Sequence, residues 1–110
     1  MKISGTIIAL NEAENIRDCV ESAFKVCDEV LVVVDSKTND DTAQIAETCG
    51  ARVYHQEYLG DGPQKAFAVP HATNNWILSI DADERLDDDA IKEIKALDLE
   101  NSSYDAYALR

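Results

Sequence analysis

A chain of 110 residues, 45% of them apolar and spread in separate blocks, has room for one small folded domain and excludes both a second domain and a disordered chain. Its 22 acidic residues against 10 basic ones give a formal net charge of −12, which repels nucleic acid and anionic membranes, so any phosphate ligand must arrive with a cation. No stretch approaches the ~20 apolar residues of a bilayer span and no charged n-region precedes an apolar run, so the chain is expected to be cytoplasmic.

Ile3 to Leu10, with β-branched residues at Ile3, Thr6, Ile7 and Ile8, reads as a strand buried on both faces. Asn11, with Glu14 three residues on, has the spacing of a capping box. Ile16, Cys19, Val20, Ala23 and Phe24 then form one apolar helical stripe ending near Val26. Glu29 to Val34 reads as a second strand, stopping at Asp35 in the polar run Ser36-Lys37-Thr38-Asn39-Asp40-Asp41. Thr42, Ile45, Ala46 and Cys49 are the inward stripe of a second helix, with Gly50 where a left-handed residue is wanted. Ala51 to His55 is a short third strand.

Gln56 to Gly62 is a loop, and Pro63 suits the first turn of a helix anchored by Phe67 and stopped or kinked by Pro70. Trp76 to Ile80 is a fourth strand. A helix from Asp87 or Asp88 to about Leu97 buries Ile91, Ile94 and Leu97, and Tyr104 to Leu109 reads as a fifth strand. Cys19, Cys27 and Cys49 have no metal-ligand spacing and read as reduced core residues. His55 and His71 have no Ser or Cys partner at a motif spacing, and Trp76, at the start of a strand, reads as packing.

Alternating strands and helices imply right-handed βαβ units and an α/β, Rossmann-like, mostly parallel sheet with helices on both faces. Ligands of such sheets bind beyond the carboxyl ends of the strands, an edge that here carries Asn11-Glu12, Asp35-Ser36, the Gly60 to Gly62 loop and Asp81-Ala82-Asp83-Glu84. Residues i and i+2 of an extended segment point the same way, so Asp81 and Asp83 can converge on one hard cation, Mg²⁺ or Mn²⁺, with Ala82 turned aside. Asp-x-Asp alone is a weak signal, and Asp87 with Asp89 repeats it by chance. Its placement directly after an apolar strand is what raises its value.

Taken in order, Ile7-Ile8-Ala9-Leu10-Asn11-Glu12, then Val32-Val33-Val34-Asp35-Ser36 with Asp40 and Thr42, then Asp81-Ala82-Asp83-Glu84, resemble the family-2 glycosyltransferases of the GT-A fold. Val53-Tyr54-His55-Gln56-Glu57, Gly60, Gln64-Lys65 and Trp76 through Arg85 bring the resemblance nearer to the bacterial lipopolysaccharide-core type. The resemblance implies a domain that binds a nucleotide-diphosphate sugar, for transfer to a glycan or lipid-linked acceptor in lipopolysaccharide or another cell-envelope glycan. By it, Leu10, Asn11, Glu12 and Asp35 hold base and ribose, Asp81 lies near the ribose and metal, and Asp83 ligates the divalent cation.

Lys65 falls where the family often has a basic residue, and reads either as a diphosphate or ribose contact or as a surface lysine. Asp40 matches the family and reads either as a ligand or as a helix N-cap. Family members usually carry Gly at the positions of Lys37 and Asp41 and often Asn at that of Ala66.

The carboxylate base of the family lies downstream of Asp-x-Asp, so no catalytic base is assigned here. The chain, residues 1–110, is therefore expected to be a nucleotide-sugar-binding half that stops before the acceptor half, peripheral at the inner membrane only if full-length. An edge exposed by truncation would favour a homo-oligomer. The alternatives are an inert nucleotide-binding or oligomerisation module of the same fold, and a phosphoacceptor receiver domain. The last fails because the first strand ends in Asn11-Glu12 and the third in His55.

Overall fold

A computed structural model of the chain describes residues 3–96; the expected fifth strand, and Leu97 in the last helix, lie outside them. The strands β1 (Ile3–Ala9), β2 (Glu29–Asp35), β3 (Arg52–Gln56) and β4 (Trp76–Asp81) form one sheet, entirely parallel, in the order β3-β2-β1-β4. β1 and β2 lie at its centre and are covered on both faces, which is why β2 is aliphatic from Val30 to Val34 and why β1 is buried almost throughout, Ser4 and Thr6 included. Direction still alternates along them. Val30, Val32 and Val34 enter one core, and Leu31 and Val33 enter another.

The larger core is closed by α1 (Ile16–Ala23), α2 (Thr42–Thr48) and α4 (Asp88–Ala96), through Ile16, Cys19, Val20, Ala46 and Ile94. The smaller is closed by α3 (Asp61–Phe67) and a 3₁₀ turn, Val69–His71, through Phe67 and Ala68. This division follows from chirality. The path β1 to β2 to β3 steps one way across the sheet, whereas β3 to β4 steps back past β1, so a right-handed crossover must carry α3 over the opposite face. Each fully buried valine, leucine or isoleucine stabilises the fold by about 1.5–3 kcal/mol relative to exposure, so the centre of the sheet anchors the molecule.

Among the described residues the expected elements recur with shifts of one or two residues at most ends, but α1 differs at both: it starts late and stops at Ala23, three residues short of Val26. Asn11 does not cap that helix. It sits at φ +52°, one of the few non-glycine positions able to tolerate the left-handed region, and the chain makes a turn before α1 begins at Ile16. Glu12 O accepts from the N–H groups of Asn15 and Ile16 within that turn. Gly50, at φ +98°, does take the left-handed position expected after α2.

At the amino ends of the strands, Glu29 ties the sheet together. It accepts from Ser4 Oγ at 2.5 Å, from Thr73 N–H at 2.6 Å and from Arg52 at 2.7 Å, and Arg52 also donates to His71 O. His71 itself stacks on Tyr54 at 4.4 Å between ring centres and packs against Phe67, a structural role.

Candidate functional site

All four strands are parallel, so Asp35 at the end of β2 and Asp81 at the end of β4 emerge at the same edge, flanking the end of β1. Asp81 is level with Val33, so they lie two strand spacings apart across the sheet and two residues apart along it, roughly 12 Å. The edge is also where strand order reverses, the usual position of a ligand crevice in open α/β sheets.

A cleft of about 380 Å³ opens there, lined by Ile8, Ala9 and Leu10 from the end of β1, Glu12 beyond it, Asp35 and Lys37 from β2 and its loop, and Tyr58 and Gln64 from the approach to α3. Its lining is mostly apolar with one buried carboxylate. Asp35 is only 5% exposed, and its Oδ1 accepts from Lys37 N–H at 3.0 Å, which fixes the side chain. Leu10 and Tyr58 are large apolar side chains left about half exposed, at 50% and 49%, on the cleft.

The turn after β4 follows the alternation of an extended chain. Asp81 and Asp83 are exposed while Ala82, 2% exposed, joins the larger core. Asp81 N–H donates to Glu84 Oε1 at 3.1 Å and Glu84 N–H donates back to Asp81 O at 2.9 Å, closing the turn that presents Asp83. Glu84 thus holds backbone. Lys65 Nζ lies 3.6 Å from Asp81 Oδ1, both side chains near half exposed, a pairing of roughly 0–1 kcal/mol that a ligand can displace cheaply.

Charge gathers around Cys19, whose Sγ donates to Asp81 O at 3.4 Å. Its thiol is pushed up to about 12, first by burial and then by the charges of Glu84, Asp81, Asp83 and Glu12. Four carboxylates from two loops therefore act on this thiol. Among the described residues no group of three or more Asp, Glu, His or Cys side chains is arranged to hold a metal alone. Two exposed carboxylates of an Asp-x-Asp turn are nevertheless the donor set that suits a cation such as Mg²⁺, which keeps waters and takes the rest of its ligands from phosphate.

The β1–α1 and β2–α2 loops are stitched into one rim. Asp40 accepts from Ala13 N–H at 3.1 Å, from Thr42 N–H at 3.0 Å and from the Thr42 hydroxyl, and Thr42 Oγ1 accepts in turn from Glu12 N–H at 2.9 Å. Asn11 Oδ1 accepts from Asn39 N–H at 2.9 Å, and Asn11 N–H donates to Thr38 Oγ1 at 3.4 Å. Asn11 and Asp40 thus act on the rim and are not among the residues lining the cleft, whereas Leu10, Glu12 and Asp35 are. Lys65 reaches Asp81 rather than the cleft lining.

No motif in the sequence points to Tyr58 as part of the cleft. Gln64 carried a signal: it lies three and four residues before Phe67 and Ala68, on the helix face that meets the sheet.

Residues 4–106 match the family described as Glycosyl transferase family 2. An uncharacterised glycosyltransferase of Rickettsia felis is 47% identical over 94 residues, 86% of this chain and 33% of that protein. The lipopolysaccharide core biosynthesis glycosyltransferase LpsC of Rhizobium meliloti is 35% identical over 99 residues, again 86% of this chain and 36% of that protein. The chain thus spans about a third of the length of these curated relatives.

Among solved structures, Staphylococcus aureus TarS residues 1–349 superpose with a TM-score of 0.72 at 27% identity, covering 87% of this chain and 32% of that one. Glucosyl-3-phosphoglycerate synthase of Mycobacterium tuberculosis, in complex with Mn²⁺, UDP and glucosyl-3-phosphoglycerate, superposes with a TM-score of 0.64 at 25% identity, covering 74% and 33%.

Proposed function

The chain belongs to glycosyl transferase family 2, and from that membership we propose that its cleft binds the nucleoside of a nucleotide-diphosphate sugar while Asp81 and Asp83 hold a divalent cation on the diphosphate. The observation that carries this reading is the convergence, on one sheet edge, of a cleft with a single buried carboxylate at Asp35 and a turn with two exposed carboxylates. Apolar walls at Leu10 and Tyr58 suit the faces of a planar base, and the fixed carboxylate of Asp35 suits its N–H edge.

Asp81, Asp83 and the Glu84-closed turn lie on the β4 side of the cleft, where the phosphates of a nucleotide seated against β1 extend. Bound there, Mg²⁺ or Mn²⁺ supplies positive charge to a leaving nucleoside diphosphate, and it lets a chain of net charge −12 accept an anionic donor. Lys65, already on Asp81, can turn its ammonium to a phosphate oxygen. The Mycobacterium synthase crystallised with Mn²⁺ and UDP supports a uridine nucleotide and Mn²⁺ as first probes.

For the whole protein, the reading extends to glycosyl transfer onto a glycan or lipid-linked acceptor of the cell envelope, supported by the likeness to LpsC. No described helix is long and apolar enough to cross a membrane.

Titration calorimetry with UDP, GDP, CMP and ADP, each with and without Mn²⁺, tests the proposal. One nucleotide should bind preferentially, with Mn²⁺ tightening it in the wild type and failing to do so in Asp83→Ala. Binding of none of them, or binding indifferent to both Mn²⁺ and Asp83→Ala, overturns it.

A further inference from the structure

The loop between β3 and α3 supplies one wall of the cleft, yet it has little apolar burial of its own. Tyr58 and Leu59 are about half exposed, at 49% and 52%. A buried amide spans it. Gln64, in α3, is 1% exposed; its Nε2 donates to Gln56 O at 3.1 Å and its Oε1 accepts from Leu59 N–H at 3.1 Å. Gln56 is the last residue of β3, so this side chain links the rigid end of the sheet to the residue directly after Tyr58.

Its own backbone is fixed as well, because Gln64 N–H donates to Gly60 O at 2.8 Å and Gly60, at φ +105°, provides the left-handed turn into the helix. A side chain of this length that both donates and accepts through one planar group is found only in glutamine: glutamate at neutral pH only accepts, lysine only donates, and methionine offers no N–H or O–H donor.

We propose that Gln64 is a positioning residue for the nucleoside, bracing the 56–60 loop so that Tyr58 stands as a preformed wall of the cleft. The inference rests on the nucleotide reading above and adds to it the origin of the wall's order. Gln64 also lines the cleft, so a Tyr58→Ala background is what separates an effect transmitted through the wall from direct contact, and the transmitted effect must be felt by the nucleoside and not by the cation on the far side of the site.

The test is a double-mutant cycle on the 110-residue chain with UMP and UDP as probes, each with and without Mn²⁺. Gln64→Met keeps the bulk and removes the amide. It should weaken both nucleotides by roughly tenfold, the order expected for a wall held by two ordinary hydrogen bonds, and by the same factor with or without Mn²⁺. In a Tyr58→Ala background the same change should cost no more than about twofold, because its effect is no longer transmitted.

Amide exchange at Leu59 should accelerate in Gln64→Met. Should that variant lose its cooperative melt, Tyr58→Ala alone, at a half-exposed residue, carries the test: it should weaken both nucleotides by at least the same factor, with or without Mn²⁺, and binding within twofold of wild type overturns the proposal. Binding by the Gln64 variant within twofold of wild type, or a loss undiminished by Tyr58→Ala, overturns the proposal. Failure of the wild type to bind either nucleotide falls on the donor reading instead.

Discussion

Thr42→Val probes the stitching of the cleft rim with little change in shape. Thr42 is fully buried, and its hydroxyl both donates to Asp40 and accepts from Glu12 N–H. Valine preserves the branched volume and leaves that N–H without its acceptor, at a cost of about 2 kcal/mol. A domain of this length unfolds with an entropy of roughly 0.23 kcal/mol/K, so the melting temperature should fall by about 9 °C. Thr42→Ser, which keeps the hydroxyl and loses one buried methyl, should cost only about 0.8 kcal/mol.

Thermal melts followed by circular dichroism separate the two. A valine variant as stable as the serine variant refutes the clamp.

The pH dependence gives an independent check. Asp40 is held below the usual carboxylate value of 3.8, first by the Thr42 hydroxyl, against an opposing push from burial, and then by the N–H groups of Thr42 and Ala13. A depressed carboxyl contributes stability that is present above its unfolded pKa and is lost as pH falls through its folded one. The gap between wild type and Thr42→Val should therefore narrow below about pH 4, without closing, since Glu12 N–H lacks its acceptor at every pH.

Further consequences can be measured together. Asp83→Ala, a change at an exposed side chain, should leave the melting temperature within about 1 °C of wild type while abolishing the Mn²⁺-dependent gain in nucleotide affinity; a large drop in melting temperature would show that Asp83 is structural. Burial pushes the carboxyl of Glu29 up, but hydrogen bonds from Ser4 and Thr73 and the charge of Arg52 outweigh it and hold the group below 4.5. Its stabilisation is thus present above that value and lost on acidification, so Glu29→Gln should flatten the fall in melting temperature between about pH 4.5 and pH 3. An unchanged slope would count against the network.

Burial pushes the thiols of Cys19 and Cys27 up to about 12, with acidic neighbours adding to it. At pH 8 only about one in 10⁴ of each is ionised, so a thiol reagent should label half-buried Cys49 first and the other two only on unfolding.

The strands and the acidic turn were legible because each is fixed by local pattern. Continuous aliphatic runs such as Val30 to Val34 mean burial on both faces, and the alternation of Asp81, Ala82 and Asp83 places two carboxylates outside and one methyl inside. The start of α1 departs from its local pattern. Asn11 and Glu14 have capping-box spacing, but the Asn11 side chain is taken by Asn39, 28 residues away, and a tertiary bond of that kind leaves no local trace.

The cleft's inner wall, Leu10, Glu12 and Asp35, could be placed from the strand ends. Its outer wall could not. Tyr58 lies in an irregular loop, and the spacing of Gln64 from Phe67 and Ala68 marks an inward helix face without showing that both halves of its amide bond to backbone.

The central claim is that a nucleotide in the cleft and a cation on the acidic turn form one site. Paramagnetic broadening of backbone amides by Mn²⁺ tests it most directly. With UDP present, Mn²⁺ should broaden residues 81–84 together with Lys65 and the 10–12 loop, and Asp83→Ala should remove the effect. Broadening that is identical without UDP, or that centres on another part of the surface such as the acidic residues of α4, would contradict the account.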